Sequence, residues 1–270
     1  MMKKMSILML LCVMAGLASA AVVQTSNTLH YWNFDDGTGN DLAGAFDLAA
    51  YEGATVATGV ANTFDNQATS SGKLVADATG YANLSALSNF IGADGSFTFE
   101  AMVKPMLADS GAHQEIICGE SDSGTASSRG FQFRIQNDDK TLRFQTLSGS
   151  VAAYDAAISY TVGQWYHTAV TFDAASSTLT LYWTAAGGTL AQAGSWGNVV
   201  PLNGATMTRF CIGNELRSVS GYGNENFEGW IDEVGIHGTA LTAFNTTIPE
   251  PTTMTLLGLG VLGLLKRRRA

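Results

Sequence analysis

The sequence predicts an all-β fold, a sandwich or barrel of antiparallel strands. From Leu29 to Thr242, apolar and polar residues alternate with a period of two, and clusters of Gly, Asn, Asp and Ser interrupt the alternation at turns. The same stretch shows no sustained 3.6-residue periodicity and contains only two prolines, Pro105 and Pro201. With 46% hydrophobic residues among 270, the chain can bury one sizeable core, so we expect one folded unit with additional segments at its ends.

Three stretches show the alternation most clearly. Residues 97–104 alternate Phe, Ala and Val with polar or mixed residues, and Pro105 ends the predicted strand. Residues 131–136 lead through an Asn-Asp-Asp-Lys turn into Leu142 and Phe144, which is the pattern of a hairpin. Residues 165–172 turn at 173–177 and return through 179–183, which predicts a second hairpin.

The charge distribution argues against nucleic acid as a partner. The chain has a formal net charge of −9, and six of its fourteen Lys and Arg residues lie in the terminal segments. Residues 21–250 therefore hold eight basic and all 23 acidic residues, a net charge of −15. Such a surface repels phosphate backbones, so cations and neutral ligands fit it better.

The two cysteines outside the leader are Cys118 and Cys211, and each lies beside an apolar run. In an oxidising compartment they could form one disulfide. The alternative is a pair of buried thiols that pack as small hydrophobic side chains. The sequence supports both interpretations equally.

The amino terminus has the features of a secretory signal peptide. Lys3 and Lys4 precede an apolar run from Met5 to Leu17, which ends in the small residues of 18–20. We predict a signal peptide over residues 1–20, cleaved after Ala20. The run is too short for a membrane anchor, which needs about 20 apolar residues.

The carboxyl terminus, residues 248–270, combines a motif, an apolar stretch and a basic cluster. Pro249, Glu250 and Pro251 precede an apolar stretch over 254–265 and four basic residues over 266–269. Twelve helical residues span only about 18 Å of a hydrocarbon core about 30 Å thick, which makes a poor permanent anchor. The alternative is a proline-containing loop before a short stable anchor.

This ending resembles the PEP-CTERM sorting tail of Gram-negative bacteria. The resemblance implies recognition by an exosortase-type sorting enzyme, cleavage near the motif, and transient membrane association before processing. It also implies delivery to the cell surface or extracellular matrix, typically in bacteria that produce exopolysaccharide.

The segment between the two ends, residues 21–247, resembles a laminin G-like or concanavalin A-like domain. The resemblance rests on the first predicted strand and its turn (29–37 and 41–44) and on two central blocks (96–105 and 163–167). The closing block, 227–236 with 240–242, is the most diagnostic. It implies a two-sheet antiparallel jelly-roll sandwich. Residues 53–81 fit this pattern less closely than the rest.

The sequence lacks the motifs of catalysis on this fold. Endo-β-glucanases of the same fold carry Glu-x-Asp-x-x-Glu on one strand, because retaining hydrolysis needs two carboxyl groups about 5 Å apart. The nearest fragment, Glu120 to Thr125, ends in Thr and is interpreted as a solvated turn. The sequence also lacks the Gly-x-Ser-x-Gly motif of hydrolases, the His-Glu-x-x-His motif of zinc proteases, the phosphate-binding Gly-x-x-x-x-Gly-Lys motif and Cys-x-x-Cys. We therefore expect a protein that is not an enzyme.

One group of acids suggests a structural calcium ion. Acidic and amide side chains crowd a Gly-containing turn at residues 35–41, and Asp232 shares a strand face with apolar residues. Calcium prefers six to eight oxygen ligands of these kinds. Jelly rolls of this type often hold one calcium between the first-strand loop and the closing strand, and the resemblance makes Asp36, Asp41 and Asp232 the candidates. The alternative is that Asp232 binds backbone amides or an Arg.

These observations predict an exported, non-catalytic surface or matrix protein that binds carbohydrate, such as an exopolysaccharide, or another cell-surface component. The alternatives are a structural or adhesive scaffold without a sugar site, and a glycan-active enzyme whose site is not visible in the sequence. Four aromatic residues in or near loops could stack on sugars, although core packing explains each equally well: Tyr154, Tyr160, Trp196 and Tyr222.

Overall fold

A computed structural model describes most of the predicted domain. The described residues are 24–34, 37–51, 55–57, 63–66, 73–77, 90–108, 113–120, 128–136, 140–148, 151–186, 188, 190–199, 202, 209–213 and 227–244. They belong to one compact unit, Val22–Thr246. The predicted signal peptide and sorting tail lie outside the described residues. So do residues 121–125 of the fragment Glu120 to Thr125. Within the described ranges, no helix has the length and apolar character needed to cross a membrane.

The described secondary structure consists of β-strands, in agreement with the predicted all-β class. In chain order the strands are β1 Thr28–Trp32, β2 Ala49–Tyr51, β3 Thr55–Ala57, β4 Thr63–Asn66, β5 Lys73–Asp77, β6 Phe97–Pro105, β7 Gln114–Glu120, β8 Ser128–Ile135, β9 Thr141–Ser148, β10 Ala152–Ala157, β11 Tyr166–Asp173, β12 Thr178–Ala185, β13 Gln192–Trp196, β14 Arg209–Ile212 and β15 Gly229–His237.

These strands form two antiparallel sheets. The eight-stranded sheet has the order β13-β12-β11-β6-β15-β4-β3, and β1 also pairs with β15. The seven-stranded sheet has the order β10-β9-β8-β7-β14-β5-β2. Both predicted hairpins are present, as β8–β9 and β11–β12. The chain is a two-sheet antiparallel jelly roll, and the predicted fold class is confirmed.

The core lies between the two sheets and is rich in phenylalanine. Alternate residues of β6 point into it, and Phe97, Phe99, Ala101 and Val103 are at most 1% exposed. Phe99 of the eight-stranded sheet stacks on Phe131 of the seven-stranded sheet, with ring centroids 4.7 Å apart. Burial of these rings supplies most of the driving force that holds the sheets together.

The edge strands β10 and β13 lie close together at one side of the sandwich. Tyr154 and Trp196 contact each other there, with ring centroids 5.7 Å apart. Both residues are partly buried and pack against the core. Tyr160, in the loop after β10, also packs against the core. Core packing therefore accounts for Tyr154, Tyr160 and Trp196, while Tyr222 lies outside the described residues.

Candidate functional site

The outer face of the eight-stranded sheet carries a group of buried ionisable side chains and two partly exposed tryptophans. Because side chains alternate along a strand, the β6 residues that lie between the core positions point outward. Register then brings residues of β11 and β15 beside them: His167 lies opposite Met102, and Trp230 lies opposite Lys104. This face has two ends with different chemistry.

At one end, a glutamate is buried between two histidines, and we name Glu100, His167 and His237 the carboxylate–imidazole cluster. Glu100 Oε2 lies 2.7 Å from Nε2 of His167, and Oε1 lies 2.7 Å from Nε2 of His237. The three residues are at most 3% exposed. Since they belong to β6, β11 and β15, their hydrogen bonds join three neighbouring strands across the outer face.

The hydrogen-bond directions in this cluster follow from its partners. The backbone N–H of Thr25 donates to Oγ1 of Thr28, which leaves the Thr28 hydroxyl to donate to Nδ1 of His237 at 3.0 Å. Nε2 of His237 then donates to Glu100. Nδ1 of His167 is buried and has no hydrogen-bond partner among the described residues, which fits an unprotonated nitrogen. Each imidazole thus donates one N–H to the carboxylate.

The electrostatics keep Glu100 ionised. Burial alone would raise the pKa of this carboxyl group, because the charged form loses its hydration. Hydrogen bonds from the N–H groups of His167 and His237 outweigh that effect and hold the pKa below its ordinary value. Both oxygens of the Glu100 carboxylate are therefore hydrogen-bonded within the cluster, and neither faces open solvent.

The segment that follows β15 covers this end of the face. Oγ1 of Thr98 donates to the carbonyl oxygen of Thr239 at 2.7 Å and accepts the N–H of Leu241 at 2.9 Å. The Phe244 ring contacts His167 edge-on, with centroids 5.7 Å apart. These contacts explain why polar residues on an outer sheet face are almost completely buried.

At the other end, two tryptophans flank a lysine, and we name Trp165, Lys104 and Trp230 the tryptophan row. Nζ of Lys104 lies over the Trp165 ring, 5.9 Å from its centroid, and Trp230 is the register partner of Lys104 on the opposite side. All three side chains are partly exposed. A Cβ at Gly229 would collide with the Lys104 carbonyl oxygen, so the glycine lets β15 approach β6 beside the row.

The tryptophans of the row differ from the other three in the protein. Trp32 and Trp183 belong to the core, and their indole N–H groups donate to backbone carbonyls at 3.0 Å. Trp196 packs against the core. Trp165 and Trp230 do not belong to the core cluster, and neither indole N–H has a hydrogen-bond partner among the described residues. Their rings are partly exposed.

Asp41, a predicted calcium ligand, organises the loop after β1. Its carboxylate accepts hydrogen bonds from Nδ1 of His30 at 2.7 Å and from four backbone N–H groups at 2.9–3.1 Å, those of Tyr31, Ala43, Gly44 and Phe46. Burial would raise its pKa, but the bonds from His30 and the backbone lower it. With both oxygens accepting N–H donors, Asp41 does not fit a calcium ligand in this arrangement.

The other two calcium candidates lie in different surroundings. Asp232 is 8% exposed in β15, and its Oδ1 accepts the backbone N–H of Glu233 at 2.8 Å, as the alternative interpretation expects. Asp36 lies outside the described residues. Among the residues the structure describes, no group of three or more His, Cys, Asp or Glu side chains could hold a metal ion. The predicted calcium site, which includes Asp36, stays a prediction.

Cys118 and Cys211 lie directly opposite each other on β7 and β14. Both are 0% exposed and form a small buried cluster of their own, apart from the main core. They are present as thiols in the structure. Their cross-strand pairing brings the two residues together as a disulfide would require, and their burial also suits two packed thiols, so both interpretations stand.

A shallow depression of about 680 Å³ lies where the start of β1 meets the turn before β6. Its lining combines three polar residues, three apolar residues and three glycines: Ser26, Asn27, Asp94, Leu29, Ile91, Ala93, Gly92, Gly95 and Gly238. The N–H and hydroxyl groups of Ser96 donate to Asp94 and lower its pKa. Because the lining contains no aromatic ring, the depression offers hydrogen bonds but no stacking surface.

The sequence of the domain matches the model of one protein family. The family model described as the concanavalin A-like lectin/glucanases superfamily matches residues 76–244, which is more than half of the chain. The chain belongs to this superfamily. The matched region begins in β5, and the antiparallel pairing of β1 with β15 extends the domain to the first predicted strand.

The carboxyl terminus of this superfamily member also matches a known motif. A model of the PEP-CTERM protein-sorting motif matches residues 247–269, which include Pro249, Glu250 and Pro251. The motif indicates an exported protein that is sorted to the cell surface. A search among curated proteins found no match.

Solved structures resemble the domain in fold at low sequence identity. Domain 4 of AbnA, an extracellular arabinanase from Geobacillus stearothermophilus solved with arabinotriose, is 16% identical, with a TM-score of 0.55 over 88% of this chain and 99% of that one. The botulinum neurotoxin serotype C1 binding domain is 14% identical, with a TM-score of 0.55 over 80% of this chain and 49% of that one. A Trypanosoma rangeli sialidase is 17% identical, with a TM-score of 0.53 over 82% and 32%. The chain spans about half of the neurotoxin domain and a third of the sialidase.

Proposed function

We propose that this protein is a non-catalytic surface or matrix protein that binds carbohydrate through its jelly roll. The observation that carries the proposal is the likeness to AbnA domain 4, a single domain solved with arabinotriose, over nearly the whole of both chains. The superfamily description also includes lectins. The acidic net charge of −9 favours a ligand without phosphate or other dense negative charge.

A binding role fits the carboxyl groups of the sheet better than hydrolysis does. Retaining and inverting glycosidases need two carboxyl groups that flank a sugar in an open cleft. Glu100, on the central strand β6, is 3% exposed and hydrogen-bonded on both oxygens, so it cannot reach a substrate. The sequence also lacks the Glu-x-Asp-x-x-Glu motif of glucanases with this fold.

The test is an array of plant, bacterial and host glycans probed with the purified full chain, followed by titration of each hit. We expect saturable binding without release of reducing ends during prolonged incubation. Release of reducing ends would favour the glycan-active enzyme. Absence of binding to all glycans, including exopolysaccharide from the producing bacterium, would favour a structural scaffold.

We further propose that an exosortase-type enzyme processes the tail near Pro249-Glu250-Pro251. The match to the sorting motif over 247–269 supports this step. Replacing Glu250 with Ala should leave the full-length chain in the membrane fraction, whereas the native chain should be shortened and recovered at the cell surface or in the matrix. Mass spectrometry of both fractions measures the outcome, and identical processing of the two chains would overturn the proposal.

A further inference from the structure

We propose that the tryptophan row, formed by Trp165, Lys104 and Trp230, is a binding platform for an uncharged linear chain of pyranose residues. This inference rests on the carbohydrate binding proposed above and assigns it a site and a ligand class. Lys104 lies on β6, Trp230 on β15 and Trp165 directly before β11, at the end of the sheet opposite to the carboxylate–imidazole cluster.

The two indoles have the properties of ligand contacts rather than of core residues. Tryptophan has a large apolar ring, and its N–H usually finds a partner when it is buried. Trp165 and Trp230 are partly exposed, pack outside the core cluster, and have no hydrogen-bond partner for the N–H among the described residues. A pyranose suits both groups of a tryptophan side chain. Its C–H face can stack on the indole ring, and its hydroxyl oxygens can accept the indole N–H.

The spacing of the two indoles suits an extended chain. Trp165 adjoins β11 and Trp230 lies in β15, with β6 between them. Neighbouring strands lie about 4.8 Å apart, so the two positions are separated by about 9.6 Å across the sheet. This separation is close to the length of a disaccharide. A linear polysaccharide can therefore place alternate sugars on the two rings.

Lys104 is placed to bind the sugar between the two stacked ones. It lies between the two tryptophans in register, and its ammonium group is held over Trp165. An ammonium group provides three donors and no acceptor, which suits hydroxyl and ring oxygens. A single lysine does not offset a net charge of −9, so long-range repulsion disfavours polyuronates and sulfated chains.

The platform is rigid before a ligand binds. Its residues lie on β6 and β15 and directly before β11, and the carboxylate–imidazole cluster joins these same strands with two 2.7 Å hydrogen bonds. A site on rigid strands loses little conformational entropy on binding. This arrangement favours selectivity for ligand shape over adaptation to many ligands.

The experiment measures the affinity of the full chain for five probes by calorimetry: cellohexaose, xylohexaose, mannohexaose, arabinohexaose and oligogalacturonate. We expect an uncharged pyranose probe to bind more tightly than the uronate and the furanose arabinan. Trp165→Ala and Trp230→Ala should each weaken that binding about tenfold or more, as removal of an anchoring aromatic does. Trp165→Phe should retain most of the affinity, because phenylalanine preserves a stacking face.

Trp196→Ala is the matched control, since Trp196 packs against the core at the other side of the same sheet and should leave affinity within about twofold. Melting curves establish that each variant is folded. Binding that survives both Trp165→Ala and Trp230→Ala overturns the platform and leaves the proposed function standing. A native chain that binds none of the five probes overturns the platform, and the glycan array then decides separately whether the proposed function stands. Variants that alter self-association without altering probe affinity would assign the row to a contact between copies and also overturn the platform.

Discussion

The two ends of the outer face of the eight-stranded sheet use the same three strands for different purposes. The carboxylate–imidazole cluster is almost completely buried, and the segment after β15 covers it. The tryptophan row is partly exposed, with rings outside the core. The difference teaches that a polar pattern on a strand does not identify exposed surface, so the platform proposed above rests on the tryptophan rings outside the core instead.

The largest expected effect is the loss of the Glu100 carboxylate. Glu100→Ala removes the acceptor of two buried N–H groups, on His167 and His237, and leaves them without a partner. We expect a loss of about 3–5 kcal/mol in the free energy of unfolding, measured by urea denaturation. Lys104→Met in the tryptophan row is the control and should cost less than about 1 kcal/mol. Equal losses of unfolding free energy in Glu100→Ala and Lys104→Met would contradict the proposed distinction between the carboxylate–imidazole cluster and the tryptophan row.

The same carboxylate should make stability depend on acid pH. Its pKa in the folded protein lies below the ordinary value of 4.5, so the folded state binds fewer protons than the unfolded state. The contribution is fully present above pH 4.5 and is lost as the pH falls through the lowered pKa. Urea denaturation from pH 7 to pH 3 should show a steeper decline in the native chain than in Glu100→Gln. Parallel curves would show that the pKa of Glu100 is not lowered in the folded protein.

Asp41 extends the comparison to a second carboxylate whose role is structural. Asp41→Asn removes the charge that accepts N–H donors from His30 and the loop backbone. Hydrogen bonds to charged groups contribute about 1.5–3 kcal/mol each, and the remaining amide oxygen retains part of this, so we expect a loss of about 2 kcal/mol. Hydrogen exchange at the Gly44 and Phe46 amides should accelerate. Asp155→Asn, which breaks an exposed pair with Arg143, should cost less than about 1 kcal/mol.

The tryptophan row should contribute little to stability, in contrast to the core. Trp165→Ala and Trp230→Ala should each lower the free energy of unfolding by less than about 1 kcal/mol, because their rings lie outside the core. Trp32→Ala, which empties a fully buried position, should cost about 3–5 kcal/mol. Thermal and urea denaturation measure both. A core-like loss at Trp165 or Trp230 would mean that the rings serve packing rather than binding.

The sequence predicted the fold because its signals are local. Alternation over 97–104 and the turn residues of 173–177 specify strands and hairpins without long-range information, and both elements are present as β6 and the β11–β12 connection. The mixed outer face of β6 was predicted, but its burial was not. Glu100 meets His167 and His237 only through strand pairing across 67 and 137 positions, and no local pattern records such a partner.

The aromatic residues also show what local sequence patterns could not predict, in this case which rings pack against the core and which lie outside it. The loop position of Tyr154, Tyr160 and Trp196 made them candidates for sugar contacts, yet all three pack against the core. Trp165 and Trp230 lie in blocks that resemble the family, and the sequence assigned them no role. Only the register of β6 with β11 and β15 places them in one row with Lys104. Sequence reasoning lacked a signal for which face of a strand remains uncovered.

The smallest expected effect is that of calcium on thermal stability. A ligand that binds only the native state stabilises it in proportion to the logarithm of its concentration over its dissociation constant. The oxygens of Asp41 accept five N–H donors, which calcium would have to displace, and Oδ1 of Asp232 accepts a backbone N–H. We therefore expect melting temperatures in millimolar calcium and in chelator to agree within about 1 °C. A rise of several degrees that Asp232→Ala abolishes would instead establish an ion site that includes Asp232, and would place a third structural carboxylate beside the two that the comparison contrasts with the tryptophan row.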